Sequence, residues 1–346
     1  MNIGNAFLSR FVLMVAALLF VSACQDANHS QEPMLLSGKT MGTTYNIKLF
    51  VGESQVSKES LHQEIEAALA AVNQSMSTYI PDSEINQFNR LPAQQVMPIS
   101  DDFRTVVADS IRLGKSTETL DVTMGPLIDL WGFGPDKRPT KKPSQQQLDD
   151  MRSRIGVDKL VLNETGLAKT ITGLELSFSA TAKGYGIDKV AELIEDHGIN
   201  NYMVEIGGEL RLAGQKPSGP WAIAIEKPDA PLGQRQIHRV IEPGTNGIAT
   251  SGDYRIFYQM DGETYTHLID PTTGHPVKHE LVSVTVLHPS AMTADGLATA
   301  LTVMGLERAK AYAQQQQLPV YLMYKTADGI NSYASEAFKR YVNEVD

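Results

Sequence analysis

The apolar residues of the chain repeat with two periods, and each period predicts one kind of element. Alternation occurs at Tyr45, Ile47 and Leu49. A helical period follows at Leu61, Ile65, Leu69 and Val72. We therefore expect a strand that begins at the segment 40–45, then an amphipathic helix from Ser60 to about Met76 with a capping box of Ser60 and Gln63, and then a loop over residues 77–92.

The later elements are predicted by the same two patterns. Further helices are expected over residues 103–111, 183–196 and 293–315. Further strands are expected over residues 202–212, 221–225, 256–260, 281–287 and 319–324. The helix at 183–196 should stop at His197-Gly198, residues 135–147 should form a polar surface loop, and the strand at 319–324 should close the chain. Because helices and strands mix without a regular βαβ alternation, the expected fold class is α+β, with mixed sheets and packed helices.

The first residues carry a targeting pattern. An unbroken apolar run covers residues 11–21 after Arg10, and it is too short to span a bilayer as a helix. The Val-Ser-Ala-Cys sequence at 21–24 is similar to a bacterial lipobox. We expect a lipoprotein signal peptide at 1–23, a lipidated Cys24 that opens a flexible tether at 24–33, and one folded domain at 34–346. An ordinary cleaved signal with an incidental cysteine is the alternative.

Composition narrows the classes of function. The 346 residues are 42% hydrophobic, which is enough for a large core. Acidic residues outnumber basic ones, 40 to 30, for a net charge of −10, and no long Lys/Arg run occurs. This balance argues against a nucleic-acid partner. Cys24 is the only cysteine, so an intramolecular disulfide is excluded.

Common catalytic and nucleotide motifs are absent from the sequence. No Gly-x-Ser-x-Gly, His-Glu-x-x-His or Gly-x-x-x-x-Gly-Lys-Ser/Thr pattern occurs. The nearest match to a dinucleotide fingerprint is Gly184-Tyr-Gly186, which has Lys189 at the place of the third glycine. We therefore reject a Rossmann site.

Two hard oxygen donors occur one helical turn apart near the end of the chain. Asp295 and Thr299 should share one helix face, and their oxygens suit Mg²⁺, which takes one or two carboxylates together with substrate phosphates. The alternative is a solvated aspartate in a first helical turn with Thr299 packed beside it.

Other polar positions are open to a functional and a structural interpretation. His267 could act as a general base near neutral pH or be a structural histidine at a strand end, whereas Asp270 is expected to cap a turn. Gly207-Gly208 inside a predicted strand suggests the close approach of a ligand or another backbone. Residues 249–254 could present backbone amides to phosphate, and Tyr79 could stack on a planar ring. Each of these, taken alone, is more commonly structural.

The order of the motifs changes this balance. They are Met-Gly-Thr-Thr-Tyr at 41–45, the segment 76–89, Asp-Val-Thr-Met-Gly-Pro at 121–126 with Leu-Trp-Gly-Phe at 130–133, Ala-Lys-Gly-Tyr-Gly at 182–186, Glu-Ile-Gly-Gly at 205–208, Ala-Thr-Ser-Gly-Asp-Tyr at 249–254, the run 267–276, and Ala-Asp-Gly-Leu-Ala-Thr at 294–299. In this order the chain resembles the ApbE family, the FAD:protein FMN transferases, over residues 41–305. The resemblance implies an ApbE-like, T-fold-related architecture.

The resemblance also implies roles for individual residues. The expected FAD contacts are Met41, Tyr79, Thr119, Leu120, Asp121, Ser177, Lys183 and Leu268. Mg²⁺ is expected at Asp295, Thr299 and the backbone carbonyl of Ala180, with His267 as the catalytic base. Ser177 stands where many relatives carry aspartate, which puts its cofactor contact in doubt. Lys183 is alternatively an ordinary helix-surface residue.

The implied reaction is Mg²⁺-dependent transfer of the FMN half of FAD to a Thr or Ser hydroxyl of a target protein, with release of AMP. The alternatives are a Mg²⁺-dependent FAD pyrophosphatase and a non-catalytic periplasmic flavin-binding lipoprotein. The expected acceptors are membrane redox subunits of the Nqr or Rnf type that carry a flavinylation motif. The expected location is the periplasmic side of a bacterial membrane, through the lipid anchor, with the inner membrane favoured.

Overall fold

The computed structural model describes residues 32–342, apart from 53, 55, 136–137, 229–235 and 253–255. The expected signal peptide and Cys24 lie outside the described residues, as does nearly all of the expected tether. Within the described part of the chain, none of the helices is long and apolar enough to cross a membrane.

The described elements mix strands and helices. The strands are β1 Met34–Thr40, β2 Thr43–Leu49, β3 Leu160–Asn163, β4 Gly166–Lys169, β5 Tyr202–Ile206, β6 Glu209–Ala213, β7 Ile223–Glu226, β8 Ile237–Ile241, β9 Gly247–Gly252, β10 Phe257–Met260, β11 Glu263–Thr266, β12 Leu281–His288, β13 Val320–Thr326 and β14 Gly329–Ala334. The helices are α1 Lys58–Met76, α2 Glu84–Asn89, α3 Asp101–Thr117, α4 Gly125–Leu130, α5 Gln145–Ser153, α6 Ala182–Asp196, α7 Ala291–Met304, α8 Leu306–Gln315 and α9 Glu336–Lys339. The expected α+β class is confirmed.

Eight strands form the main sheet, in the order β1-β2-β5-β6-β9-β12-β13-β14. Its paired neighbours are antiparallel. Successive residues of β13 face opposite sides, since Leu322 packs with α7 and α8 while Tyr321 packs with Trp221 and Phe338. Both faces of the sheet are therefore covered at β13. Helix α7 packs against β9 and β12 and also against α6, which itself packs on β5 and β6.

Three local predictions about helices are wrong because short polar caps decide where a helix begins. Helix α1 starts one turn before the expected capping box, and Ser57 is its cap, since the Ser57 side chain accepts from the Ser60 backbone N–H. Residues 77–92 contain α2, which Ser83 caps in the same way. Helix α5 begins inside the expected loop at 135–147, behind a capping box of Ser144 and Gln147.

Glycines account for two other differences. The expected strand at 202–212 is a hairpin, because Gly207 and Gly208 turn the chain at φ values of 62° and 104°. A neighbouring backbone does approach there, since the Gly207 N–H donates to the Thr44 carbonyl at 3.1 Å. The expected helix at 293–315 is two helices, divided at Gly305 with a φ of 77°. Strand β13 does not close the chain, because β14 and α9 follow.

Candidate functional site

The N-terminus of α7 is held by a carboxylate from α6. Asp188 accepts from the backbone N–H groups of Ala291 at 2.9 Å and Met292 at 3.0 Å, and from the Ser290 hydroxyl at 2.7 Å. Arg211 of β6 donates to Asp188 at 3.0 Å. The first N–H groups of a helix have no partner within the helix, and a negative charge there is favourable. Asp188 therefore fixes where α7 starts.

Two glycines let α7 come close to its neighbours. A Cβ at Gly184 would lie 2.4 Å from the Ala291 carbonyl oxygen, and a Cβ at Gly247 would lie 2.6 Å from the Ala291 Cα. Both distances are far shorter than real carbon contacts, so only glycine fits at either position. This packing places Asp295, one turn into α7, against the first turn of α6.

Asp295 lies in a buried charged cluster at this junction. Its side chain accepts from the Gly184 N–H at 3.2 Å and lies 3.5 Å from Lys183 Nζ. Lys183 is also 3.5 Å from Glu209 of β6. Burial raises the pKa of Asp295, although the positive charge of Lys183 and the Gly184 N–H oppose the rise. For Lys183, burial lowers the pKa, but the two carboxylates outweigh it and the pKa is raised, so Lys183 remains an ammonium ion.

Two of the three expected magnesium ligands, Thr299 and Ala180, present oxygens that accept or donate no hydrogen bond within the described residues. Thr302 donates to the Ala298 carbonyl at 2.7 Å, as helical threonines commonly do. Thr299, on the same helix, makes no such bond within the described residues. The Ala180 carbonyl also accepts none in this part of the chain, because Gly184, four residues on, donates to Asp295 instead.

These donors fit magnesium. Ala180 packs with the cluster that contains Leu297 and Ala298 of α7, which places its backbone beside that helix. No group of three or more His, Cys, Asp or Glu side chains that could hold a metal occurs among the described residues. One carboxylate, one hydroxyl and one carbonyl leave further positions to water or ligand phosphates, which is the coordination that Mg²⁺ prefers.

Two expected FAD-contact segments run side by side next to α7. The Ser177 N–H donates to the Val122 carbonyl at 2.8 Å, which places Ser177 beside the segment 119–121. Thr119 donates its hydroxyl to the Ala300 carbonyl of α7 at 2.9 Å, so this side chain already has a partner. Asp121 accepts from the Thr123 N–H and hydroxyl at 2.8 and 2.5 Å, and burial raises its pKa against these bonds. Leu120 packs near Gly296 of α7.

Met41 and Tyr79, the two remaining expected FAD contacts before α3, lie on two different loops. Met41 occupies the β1–β2 turn in the left-handed region, with a φ of 50°, and its terminal methyl lies 2.7 Å from a Cβ built at Gly186. Met41 therefore covers the first turns of α6. Tyr79 lies between α1 and α2 with 67% of its surface exposed.

His267 and Leu268 lie on a separate element, directly after β11. The Ile256 carbonyl accepts from the His267 N–H at 3.2 Å and lies 3.1 Å from the ring Nδ1. The ring centroid is 6.4 Å from that of Phe133. Leu268 is only 4% exposed, and its carbonyl accepts from the Val277 N–H at 2.9 Å. Asp270 caps the following turn as expected, because it accepts from the Thr272 N–H at 2.8 Å.

The structure thus brings together Asp295, Thr299, Ala180, Lys183, Met41, Ser177 and the 119–121 segment around the α6–α7 junction. Tyr79 and the His267-Leu268 pair lie on other loops, where Tyr79 is hydrogen-bonded to Ser77 and His267 to Ile256. Sequence reasoning missed Glu209, because its approach to Lys183 depends on the β5–β6 hairpin. A carboxylate directly after Gly207-Gly208, at the start of a buried strand, was the available signal. Of the segment 249–254, expected to meet phosphate, the last two residues lie outside the described part.

Comparison with known proteins gives one consistent result. The model of the ApbE family matches residues 41–322. A protein of Vibrio cholerae serotype O1 named FAD:protein FMN transferase is 46% identical over 336 residues, which are 96% of this chain and 99% of the relative. The solved structure of the flavin transferase ApbE from Vibrio cholerae superposes with a TM-score of 0.84 at 48% identity, covering 90% of this chain and 99% of that one. For the apo form of the Pseudomonas stutzeri flavinyl transferase ApbE, the TM-score is 0.82 at 36% identity, with 90% and 97% covered.

Proposed function

This chain belongs to the ApbE family, and on that premise we propose that it transfers the FMN half of FAD to a Thr or Ser hydroxyl of a target protein. The observation that carries the proposal is the nearly complete mutual coverage with a relative named FAD:protein FMN transferase. The acceptor oxygen attacks the FMN phosphorus, a phosphoester forms, and the pyrophosphate bond breaks so that AMP leaves with the electron pair.

The α6–α7 junction supports a role in holding the pyrophosphate. Asp295, Thr299 and the Ala180 carbonyl would hold Mg²⁺, which when bound would neutralise phosphate charge as the bond breaks. Lys183 adds a second positive charge at the same place, and its raised pKa keeps that charge at neutral pH. This arrangement stabilises charge where it develops, which is a main source of catalysis in phosphoryl transfer.

The acceptor side needs a group that takes the hydroxyl proton. His267 is the candidate, because imidazole titrates near neutral pH and its ring lies at the end of a hairpin, next to the exposed Ile256. The attacking oxygen arrives on the target protein, so no nucleophile from this chain is required. That accounts for the absence of serine and cysteine nucleophile motifs from the sequence.

We also infer where the reaction takes place. The lipobox-like sequence at 21–24 supports a lipid anchor at Cys24 on the periplasmic side of a bacterial membrane, with the inner membrane favoured. Membrane redox subunits of the Nqr or Rnf type are the proposed acceptors. Mass spectrometry of the membrane-extracted protein tests the anchor, since unmodified Cys24 would contradict it.

The decisive experiment measures the fate of both halves of FAD. The chain from residue 25 onward is incubated with FAD, Mg²⁺ and an acceptor domain that carries a flavinylation-type Thr, with the Thr→Val acceptor as control. We expect the Thr acceptor alone to gain the mass of one FMN, with an equal amount of AMP. Free FMN and AMP without a mass gain would support an FAD pyrophosphatase. FAD binding without turnover would support a non-catalytic flavin-binding lipoprotein.

A further inference from the structure

Tyr79 is an exposed aromatic residue on a firmly held backbone. One side chain of α2 binds the chain on both sides of it, because Asn86 Nδ2 donates to the carbonyls of Thr78 and Ile80, each at 2.9 Å. The Tyr79 N–H donates to the Ser77 hydroxyl at 3.2 Å. Exposed loop tips commonly lack such bonds and are mobile. Here the backbone is fixed while the ring remains accessible.

Helix α2 is itself fixed to the core, although it has only six residues. Ile85 and Phe88 are fully buried in the same cluster as residues of α1 and α3. Glu84 accepts from the Ser75 hydroxyl at 2.7 Å and from the Ser100 N–H at 2.6 Å, which ties α2 to the end of α1 and the start of α3. A helix this short has little stability of its own, so these tertiary contacts hold it.

The C-terminal end of α2 is hydrogen-bonded to the segment that precedes Ser177, another expected FAD contact. Asn89 accepts from the Leu176 N–H at 2.7 Å and donates to the Leu176 carbonyl at 3.0 Å. The next residue is Ser177. The buried Lys169 ammonium donates to the Asn89 and Leu174 carbonyls, each at 2.8 Å, which fixes the same segment again. Helix α2 therefore sets the distance between the Tyr79 loop and Ser177.

We propose that Asn86 is a positioning residue for FAD binding, which holds the Tyr79 loop in its bound geometry before the ligand arrives. This inference rests on the proposed function, because it takes Tyr79 as an FAD contact. Ordering a loop upon binding lowers affinity, and a loop that is already ordered avoids this loss. Asn86 is suited to the role because both of its amide hydrogens are directed at carbonyls that flank a single residue.

The test is Asn86→Asp, which keeps the size of the side chain but removes both donors and sets a carboxylate against two carbonyl oxygens. The dissociation constant of FAD is measured by quenching of flavin fluorescence without acceptor, and KM for FAD and kcat with acceptor. Because two hydrogen bonds are lost, we expect the dissociation constant and the KM for FAD to rise by roughly tenfold. The kcat should stay within about twofold of that of the unmodified protein.

The matched control is Gln87→Ala on the same helix. Gln87 Nε2 also donates to a carbonyl of this loop, that of Asp82 at 2.8 Å. Asp82 does not flank Tyr79 in the chain, whereas the two partners of Asn86 do. We expect its FAD dissociation constant to stay within about twofold of the unmodified value, because a single exposed hydrogen bond contributes little. An equal loss of affinity in Gln87→Ala would overturn the specific role of Asn86.

A double-mutant cycle separates positioning from general loop stability. In a Tyr79→Ala background Asn86→Asp should change FAD affinity by less than about twofold, because the ring that it positions is gone. A full tenfold loss in that background would contradict the proposal.

If Asn86→Asp does not fold, as judged by thermal unfolding, Asn86→Ala removes the same donors without adding charge. If the unmodified chain binds no FAD, the proposed function fails; if it binds and Asn86 variants bind equally well, only this inference fails.

Discussion

The α6–α7 junction and the β10–β11 hairpin carry the two halves of the proposed chemistry, and they are built in different ways. At the junction, Asp295 is 5% exposed and bonded to α6, and the helices are so close that Gly184 tolerates no side chain. The hairpin is a separate two-stranded sheet, and its first apolar residues, Ile256 and Phe257, are 51% and 46% exposed.

This difference fits the difference between the two substrates. A small ligand with a charged pyrophosphate requires fixed charges in a water-poor site, where electrostatic stabilisation is strongest. A protein acceptor requires an accessible surface, because a whole domain must bring its hydroxyl to the base. Variants at the two regions should therefore fail differently: a variant of His267 should lose transfer and keep FAD, whereas junction variants should lose the metal or the fold.

The largest effect is expected for His267→Gln at the hairpin. Loss of a general base lowers the rate by about 10²–10⁴-fold. FAD affinity and the Mg²⁺ concentration for half-maximal binding should remain within about twofold, because the junction is intact. AMP release with the Thr acceptor measures the rate. The control is His275→Gln, since the His275 ring packs 5.9 Å from that of Trp131 and is assigned no proton transfer.

An unchanged transfer rate in His267→Gln would remove the assignment of the base. A parallel loss of FAD affinity would show instead that His267 itself contributes to FAD binding, and the division of roles between the two regions would fail.

Asp295→Asn should have the next largest effect, at the junction. It preserves shape but removes the only carboxylate of the expected magnesium set. We expect AMP release at a fixed Mg²⁺ concentration to fall by at least about a hundredfold, the scale on which charge-stabilising groups act. Mg²⁺ titration by calorimetry in the presence of FAD should show weakened binding. Retained metal affinity would place the metal elsewhere.

Local periodicity was sufficient to predict that Asp295 and Thr299 share one turn of a helix, but it could not predict which distant segments pack against that helix. Asp295 and Thr299 follow from one helical turn, and the α6 boundaries differ from the expectation by a single residue. Glu209 was missed, because its contact with Lys183 depends on the β5–β6 hairpin, which was not predicted from the sequence. Helix α2 was also missed, since its six residues span fewer than two helical turns, too few to show a repeating pattern.

Thr299→Val, compared with Thr302→Val, tests the metal assignment within one helix. The Thr299→Val substitution removes no hydrogen bond among the described residues, whereas Thr302→Val removes the bond from the Thr302 hydroxyl to the Ala298 carbonyl. We expect Thr299→Val to raise the Mg²⁺ activation constant about tenfold at nearly unchanged stability. Thr302→Val should leave that constant unchanged and lower the free energy of unfolding by about 1 kcal/mol. Equal activation constants for the two variants would contradict the metal role of Thr299.

The smallest effect, a change of stability that measures the close packing directly, is expected from Gly184→Ala. Its new methyl would meet the Ala291 carbonyl oxygen at 2.4 Å, which is backbone and cannot move aside without shifting α7. Overpacking of this kind lowers the free energy of unfolding by about 1–3 kcal/mol. The control is Gly186→Ala on the same helix, whose methyl meets only the flexible end of Met41 at 2.7 Å. Both variants gain about 1 kcal/mol of helix propensity, so the difference between them isolates the contact. Thermal and denaturant unfolding measure it, and equal stabilities would show that the two helices can separate without loss. In that case close packing of α6 against α7 would not explain how the metal ligands are held in place. The contrast between a rigid junction and an open hairpin would then fail.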